Sequence, residues 1–95
     1  MSMSGTAKAT KQIENDRVIV TLWSFGPGEN TGWHKHAHDY VVVPLMDGKL
    51  KLATPEGEQI AELKQGVSYA REAGVEHDVI NASEGAFAFI EIELK

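Results

Sequence analysis

The 95-residue sequence predicts an all-β fold, a single antiparallel sandwich or barrel. Short apolar runs alternate with turn signals such as Gly26-Pro27-Gly28, Asp47-Gly48 and Pro55-Glu56-Gly57. Lys49-Leu50-Lys51-Leu52 alternates polar and apolar residues, which is typical of a half-buried antiparallel strand. A chain of this length has room for one core, so we predict one domain. Its core is expected to be thin, and dimerisation would help to stabilise it.

The predicted elements begin after an N-terminal arm. Residues 1–12 are mostly small and polar, and we expect them to form a flexible arm that carries no chemistry. Residues 13–95 are predicted to form the single barrel domain. Its strands are expected within the following apolar runs, in chain order: Val18–Trp23, Trp33–Leu45, Lys49–Thr54, Val67–Arg71, His77–Ile80 and Ala86–Leu94.

Composition narrows the function classes. The net charge is −5 and the nine Lys and Arg residues are scattered, which argues against nucleic acid as a partner. No cysteine is present, so any metal ion must be held by nitrogen and oxygen. The start lacks the apolar run of a signal peptide, and no stretch offers the roughly 20 apolar residues of a membrane span. We therefore expect a cytoplasmic protein with no membrane partner.

All four histidines lie in two short segments, which points to a metal site. His34, His36 and His38 are two residues apart, so they would project to one side of a straight strand. His77 must come from a different strand. Ligands that converge from two strands form a facial site whose remaining coordination positions stay open for chemistry.

The histidine segments carry two spaced motifs that resemble those of the cupins, a family of small jelly-roll barrels. The first cupin motif, G-x5-H-x-H-x(3,4)-E-x6-G, matches at Gly28, His34, His36 and Gly48. The second motif, G-x5-P-x-G-x2-H-x3-N, matches at Gly66, Gly74, His77 and Asn81, with Glu72 in the proline position. The resemblance implies a small single-domain cupin with an antiparallel double-stranded β-helix. It also implies that His34, His36 and His77 are metal ligands and that Asn81 and the glycines are structural.

The glutamate of the first motif is absent. The spacing to Gly48 puts its position at Val41, and the shorter spacer puts it at Tyr40. Three neutral imidazoles leave a divalent ion with a charge of +2, so we expect the site to prefer an anionic ligand. Imidazole ligation suits Fe, Zn, Ni, Mn or Cu, and the sequence does not choose among these metals.

Other candidate site residues surround the ligands. His38 and Tyr40 are the candidate catalytic acids or bases. The alternatives are that His38 is a further metal ligand or a surface histidine, and that Tyr40 hydrogen-bonds a ligand or is an ordinary strand tyrosine. Tyr69 and Arg71 share a face by alternation. If that face is inward, the arginine would bind a substrate carboxylate, whereas an outward arginine would pair with a neighbouring glutamate.

The remaining large side chains are assigned to packing or to the surface. The aromatic residues predicted for the core or for dimer contacts are Trp23, Phe25, Trp33, Phe87 and Phe89. Asp78 directly follows His77, so it should face away from the ion and lie at the surface. Glu91 and Glu93 alternate with apolar residues, so we expect them to form an outer charged row. The apolar face of that strand is then available to a partner subunit, and we predict a homodimer.

Two function classes follow from these observations. The first is a metal-dependent enzyme, dioxygenase-like or isomerase-like, that acts on a small anionic or enolisable substrate. The second is a non-catalytic module that binds or senses a small ligand or a metal ion. A further alternative, in which the histidines are an exposed cluster that takes up metal incidentally, explains the two spaced motifs less well.

Overall fold

A computed structural model describes residues 5–95, which form nine β-strands. In chain order the strands are β1 (Lys8–Glu14), β2 (Val18–Phe25), β3 (His34–Lys35), β4 (Asp39–Pro44), β5 (Gly48–Thr54), β6 (Gly57–Leu63), β7 (Tyr69–Arg71), β8 (Glu76–Asn81) and β9 (Phe87–Leu94). Among these described residues there is no helix long and apolar enough to cross a membrane.

The strands form two antiparallel sheets. One sheet has five strands in the order β1-β2-β9-β4-β7, and the other has four in the order β3-β8-β5-β6. Because consecutive strands such as β3 and β4 belong to different sheets, the chain crosses between the sheets repeatedly. The predicted all-β antiparallel fold is confirmed.

The core consists of eight buried side chains supplied by both sheets. They are Phe25, Tyr40, Val42, Leu50, Leu63, Val79, Phe87 and Phe89. Phe25 of β2 pairs with Phe87 of β9, and Trp23 of β2 pairs with Phe89 of β9. Directly opposed residues of an antiparallel pair share a face, so this register defines the inner face of the five-stranded sheet.

The predicted N-terminal arm differs from the structure over residues 8–12, which belong to β1 and pair with β2. Residues 1–4 lie outside the described residues. All seven side chains of β1 are exposed. A strand with no buried face lacks the alternation of apolar and polar residues by which strands are recognised, so its sequence looks like that of a loop.

The two faces of β9 are the reverse of those predicted. Glu91 shares its face with Phe87 and Phe89 and is 7% exposed, so it lies inside the molecule rather than in an outer row. Glu93 is also on this inner face. The outer face is aliphatic across three strands, with Val20 and Val41 flanking Ile92. The prediction was wrong because β9 carries apolar residues on both faces.

Two glycines of the motifs are required, Gly74 by its backbone conformation and Gly48 by close packing. Gly74 has a φ of 98°, a left-handed conformation that favours glycine, and it forms the turn that leads into β8. Gly48 begins β5, and a Cβ atom there would overlap the ring of Phe87. Gly48 thus lets β5 pack closely against Phe87, and Gly74 allows the turn from which β8 begins.

Candidate metal centre

The three histidines of the motifs reach one point because of the pairing between β3 and β8. His34 lies directly opposite His77 in this pair. After Lys35 the chain leaves the four-stranded sheet, so His36 is not in a strand. The backbone N–H of His36 donates to Val75 (2.9 Å), and the N–H of Gly74 donates to the His36 carbonyl (2.8 Å). These bonds hold His36 against the turn that precedes β8.

The imidazole nitrogens of the three side chains converge. The Nε2 atom of His36 is 3.0 Å from Nε2 of His34 and 3.1 Å from Nε2 of His77. The nitrogen atoms of the cluster all lie within 4.8 Å of one another. Two nitrogens that bind one ion at about 2.1 Å each, and at about 90° to one another, are about 3.0 Å apart. The spacing and the donor type therefore fit a transition metal ion.

The surroundings keep these nitrogens available to an ion. The Nδ1 atom of His34 is 2.8 Å from the carbonyl oxygen of Gly32. When the Nδ1–H group donates a hydrogen bond to this oxygen, Nε2 carries no proton and its lone pair is available to a metal ion. Burial, followed by the neighbouring His34, lowers the pKa of His36 to about 3. The same two causes lower the pKa of His77 to about 4. Both imidazoles are therefore neutral near pH 7, which is the form that binds metal.

Asp78 supports the ligand set, contrary to its predicted surface role. It faces away from the histidines, as expected, but the segment before β3 covers it. Its carboxylate accepts hydrogen bonds from the Asn30 amide (3.0 and 3.2 Å) and from the backbone N–H of Gly32 (3.0 Å). Gly32 in turn accepts from His34, so Asp78 orients a ligand through one intervening residue.

Tyr40, the position given by the shorter spacer of the first motif, points into the molecule on the same face of the sheet as Glu93. It is buried, and its ring stacks on His36 with centroids 3.8 Å apart and an interplanar angle of 18°. Burial raises the pKa of its hydroxyl. Val41 pairs with Ile92 on the outer face of the sheet. The side chain of Val41, the glutamate position that the spacing to Gly48 gives, therefore points away from the histidines.

A carboxylate does reach the site, but from β9. Oε2 of Glu91 lies 4.0 Å from Nε2 of His36. Burial, with a smaller contribution from Glu93, raises the pKa of Glu91 to about 7, while the indole N–H of Trp23 opposes the rise. Glu91 was not among the predicted site residues. The signal that could have found it is its alternation with Phe87 and Phe89, which marks its face as the one with the larger apolar side chains.

A cavity of about 310 Å³ opens beside the histidines. Its lining residues are Trp23, Thr31, His34, Lys35, His36, Ala37, His38, Glu91 and Glu93. His38 is not part of the cluster formed by His34, His36 and His77. Its Nδ1 atom lies 3.6 Å from Oε2 of Glu93. That Nδ1 atom is buried and has no hydrogen-bond partner among the described residues. The structure thus places His38 in the cavity wall.

Comparison with known proteins identifies the fold and the family. The family model described as the cupin domain matches residues 21–93. The chain belongs to the cupin family. The predicted membership of the cupins and the predicted double-stranded β-helix are both confirmed, since solved cupins share the fold over nearly all of this chain.

Relatives of this cupin come from several bacteria and an archaeon. It is 57% identical over 95 residues to a protein of Pseudomonas aeruginosa named beta-alanine degradation protein BauB, covering 98% of this chain and all of that one. A crystal structure of a cupin domain from Bordetella pertussis is 56% identical, with a TM-score of 0.92 over 100% of this chain and 98% of that one. An RmlC-like cupin from Methanocaldococcus jannaschii is 15% identical, with a TM-score of 0.79 over 94% of this chain and 80% of that chain, and shows the fold alone.

Tyr69 and Arg71 lie at a second cavity of this cupin. It has a volume of about 280 Å³, lies between β6 and β7, and shares no lining residue with the histidine cavity. The Arg71 guanidinium lies over the Tyr69 ring, 4.7 Å from its centroid, and donates to the Ala70 carbonyl. No carboxylate within residues 5–95 is within 4.0 Å of the guanidinium, so the alternative of an outward ion pair with a neighbouring glutamate is not found.

Proposed function

We propose that this cupin binds a divalent transition metal ion through His34, His36 and His77 and that the ion binds the anionic end of a small molecule. The observation that carries the proposal is the convergence of the three Nε2 atoms, two of whose separations are 3.0 and 3.1 Å. A bound ion would supply Lewis-acid chemistry at the open side of the ligand set. Fe, Zn, Ni, Mn and Cu all suit three imidazoles.

The process in which the ligand takes part is proposed from the most informative relative. The Pseudomonas aeruginosa protein is named for beta-alanine degradation, and this cupin matches it over its whole length. We propose that the ligand is β-alanine or a related short carboxylate. A carboxylate group suits an ion held only by neutral imidazoles, because the ion then retains its full positive charge.

The roles of the neighbouring residues follow from where they lie. His38 lines the histidine cavity, and we propose that it exchanges protons with a bound ligand, with the Glu93 carboxylate 3.6 Å from its Nδ1 atom as a nearby negative charge. For Tyr40 the stacking on His36 supports a positioning role rather than contact with the ligand. For Arg71 and Tyr69 a substrate-binding role remains a proposal, and it would concern the second cavity.

The homodimer remains a prediction, and the outer face of the five-stranded sheet is the surface on which it depends. This face presents aliphatic side chains from three neighbouring strands, with Asp39 at its edge opposite Leu94. The aliphatic residues are Val18, Val20 and Leu22 from β2, Ile90, Ile92 and Leu94 from β9, and Val41 and Val43 from β4. A contiguous apolar surface of this kind is typical of protein–protein contacts.

The metal assignment is tested by measuring metal content and metal affinity in the full chain. We expect one ion per chain in the wild type, and we expect His36→Ala and His77→Ala each to lose it. His38→Ala is the matched control, because His38 lies outside the ligand cluster, and it should keep its metal. Stoichiometric metal in both ligand variants would contradict the assignment.

Enzyme and binding module are then separated with the metal-loaded protein. Oxygen uptake and substrate loss would be followed with β-alanine, keto acids and diketones for each of the candidate metals. Turnover that disappears in His36→Ala supports the enzyme. Binding of a carboxylate without turnover under any metal supports the non-catalytic module.

A further inference from the structure

Residues 5–7, which we call the N-terminal clip, link the two sheets near the histidines. From Lys8 onward the chain pairs with β2 in the five-stranded sheet. Just before that point, the backbone N–H of Ala7 donates to the Asn30 carbonyl (2.8 Å), and Ala7 packs against the core. Asn30 belongs to the connection between β2 and β3, and it forms a bridge with Ile80 of β8 in the four-stranded sheet. The clip therefore ties this connection to the five-stranded sheet.

The connection between β2 and β3 is held at both of its edges. At one edge the N–H of Thr31 donates to the Val79 carbonyl of β8 (2.9 Å). Because backbone groups alternate in direction along an extended segment, the N–H and carbonyl of Asn30 point to the opposite edge. There the clip supplies a partner for each group. The Asn30 N–H donates to the Thr6 hydroxyl (3.1 Å), and its carbonyl accepts the bond from Ala7.

The side chain of Asn30 extends this contact toward a ligand histidine. Its Oδ1 atom accepts a hydrogen bond from the Thr6 hydroxyl (3.2 Å), and its Nδ2 atom donates to both carboxylate oxygens of Asp78. Asp78 also accepts from the N–H of Gly32 (3.0 Å). The carbonyl oxygen of Gly32 is 2.8 Å from Nδ1 of His34. A continuous series of hydrogen bonds thus leads from Thr6 to His34.

Gly5 brings the clip into direct contact with the backbone of the same connection. A Cβ atom at Gly5 would overlap the Asn30 carbonyl oxygen and the backbone of Thr31, and it would lie 2.5 Å from the Gly32 nitrogen. All three neighbours are backbone atoms, so none can rotate away as a flexible side chain would. A larger residue at Gly5 would therefore displace either the clip or the connection.

We propose that the N-terminal clip is a positioning element of the metal centre. In this role Thr6 and Gly5 fix the place of the Gly32 carbonyl, and that carbonyl sets the orientation and the protonated nitrogen of His34. The part of this statement that concerns metal affinity rests on the proposed function. Coupling between two sites is reciprocal, so an ion at the histidines should also hold the clip more firmly.

The first test measures Zn²⁺ affinity by calorimetry in the full chain. Thr6→Ala removes an exposed hydroxyl and leaves the backbone bond from Ala7 in place, so the variant should fold. Its affinity should fall by about threefold to tenfold, less than on loss of a group that directly holds a ligand. Thr6→Ser keeps the hydroxyl and should bind like the wild type. Gly5→Val should lower the affinity by about tenfold or more.

Thr10→Ala is the matched control for this measurement. Thr10 is an exposed threonine of the neighbouring strand β1, where it lies opposite Leu22. The variant loses the same atoms without touching the connection, so it should keep the wild-type affinity. An equal loss in Thr10→Ala and Thr6→Ala would assign the effect to general destabilisation and overturn the positioning role.

Two NMR measurements test positioning by means that a loss of stability alone would not change. In the metal-free wild type, the ¹⁵N shifts of His34 should show the proton on Nδ1, whereas Thr6→Ala should show a mixture of both tautomers. Zn²⁺ should slow exchange of the Ala7 amide in the wild type by about the same threefold to tenfold, because the coupling is reciprocal. The Asn15 amide, which donates to the Val18 carbonyl (3.1 Å), is the control and should not change.

The outcomes separate this inference from the metal proposal. Wild-type Zn²⁺ affinity in both Thr6→Ala and Gly5→Val would overturn the role of the clip while the metal site stands. A single Nδ1 tautomer of His34 in both variants would overturn it as well. If the wild type binds no metal, the proposed function fails, and the tautomers of His34 in the metal-free proteins still decide whether the clip positions this side chain.

Discussion

Asp78→Ala should weaken metal binding although Asp78 touches neither the ion site nor its cavity. The carboxylate accepts bonds of 3.0 and 3.2 Å from the Asn30 amide and one of 3.0 Å from the Gly32 N–H. Gly32 holds Nδ1 of His34 at 2.8 Å. Without the carboxylate, the segment that orients His34 loses these three hydrogen bonds to β8 and keeps the backbone bond from Thr31 to Val79 (2.9 Å).

The expected size of the effect follows from these bonds. Loss of a residue that orients a metal ligand typically costs 10- to 100-fold in affinity, which is about 1.4 to 2.7 kcal/mol. The free energy of unfolding should also fall by about 2 to 3 kcal/mol, because hydrogen bonds to a charged, half-buried group are removed. Asp78→Asn keeps one acceptor oxygen and should lie between the alanine variant and the wild type.

Isothermal titration of Zn²⁺ or Co²⁺ into the metal-free proteins measures the affinity, and urea unfolding measures the stability. Asp47→Ala is the matched control, because Asp47 also accepts a backbone hydrogen bond, from Gln65 at 2.9 Å, in a turn remote from the histidines. It should lower stability without changing metal affinity. A folded Asp78→Ala protein with wild-type affinity, or an equal loss of affinity in both variants, would refute the reasoning.

Three further substitutions probe the core, the stacking on the ligand histidine and the outer sheet face. Gly48→Ala should destabilise the fold by about 1 to 3 kcal/mol in urea unfolding, because its Cβ overlaps Phe87, whereas Gly85→Ala has open space and should be neutral within about 0.5 kcal/mol. Tyr40→Phe keeps the stacked ring and should retain metal affinity in calorimetry, while Tyr40→Ala should lose part of it; equal affinities would contradict a positioning role. Ile92→Lys should convert the predicted dimer to a monomer in size-exclusion chromatography with light scattering, and a wild type that is already monomeric would contradict the homodimer.

The spacing of the histidines was informative because the chemistry of the site constrains it. His34 and His36 had to be two residues apart, and His77 had to come from a separate strand, so the sequence alone indicated which side chains meet. Alternation along a straight strand did not decide which histidines meet, because β3 ends at Lys35 and neither His36 nor His38 lies in a strand. The match to the first motif is what distinguished His36 from His38.

The support around the histidines could not be predicted in the same way. Glu91 lies in a strand that is apolar on both faces, so alternation alone did not decide which face is inside, and the two phenylalanines on its face were the one indication. Asp78 was correctly placed on the far side of β8 from His77, but the sequence does not show that the segment containing Asn30 and Gly32 folds over that side. Contacts of this kind depend on the path of a connection rather than on local periodicity.

The two-residue length of β3 has a consequence for local stability. Within β3 only His34 and Lys35 pair with β8, and single backbone bonds from Thr31 to Val79 and from His36 to Val75 flank this short pairing. An ion bound by His34 and His77 would act as a cross-link between β3 and β8 and add its binding free energy to the energy of opening that edge. Metal occupancy would then set how often the edge opens, and amide exchange near His34 would report it.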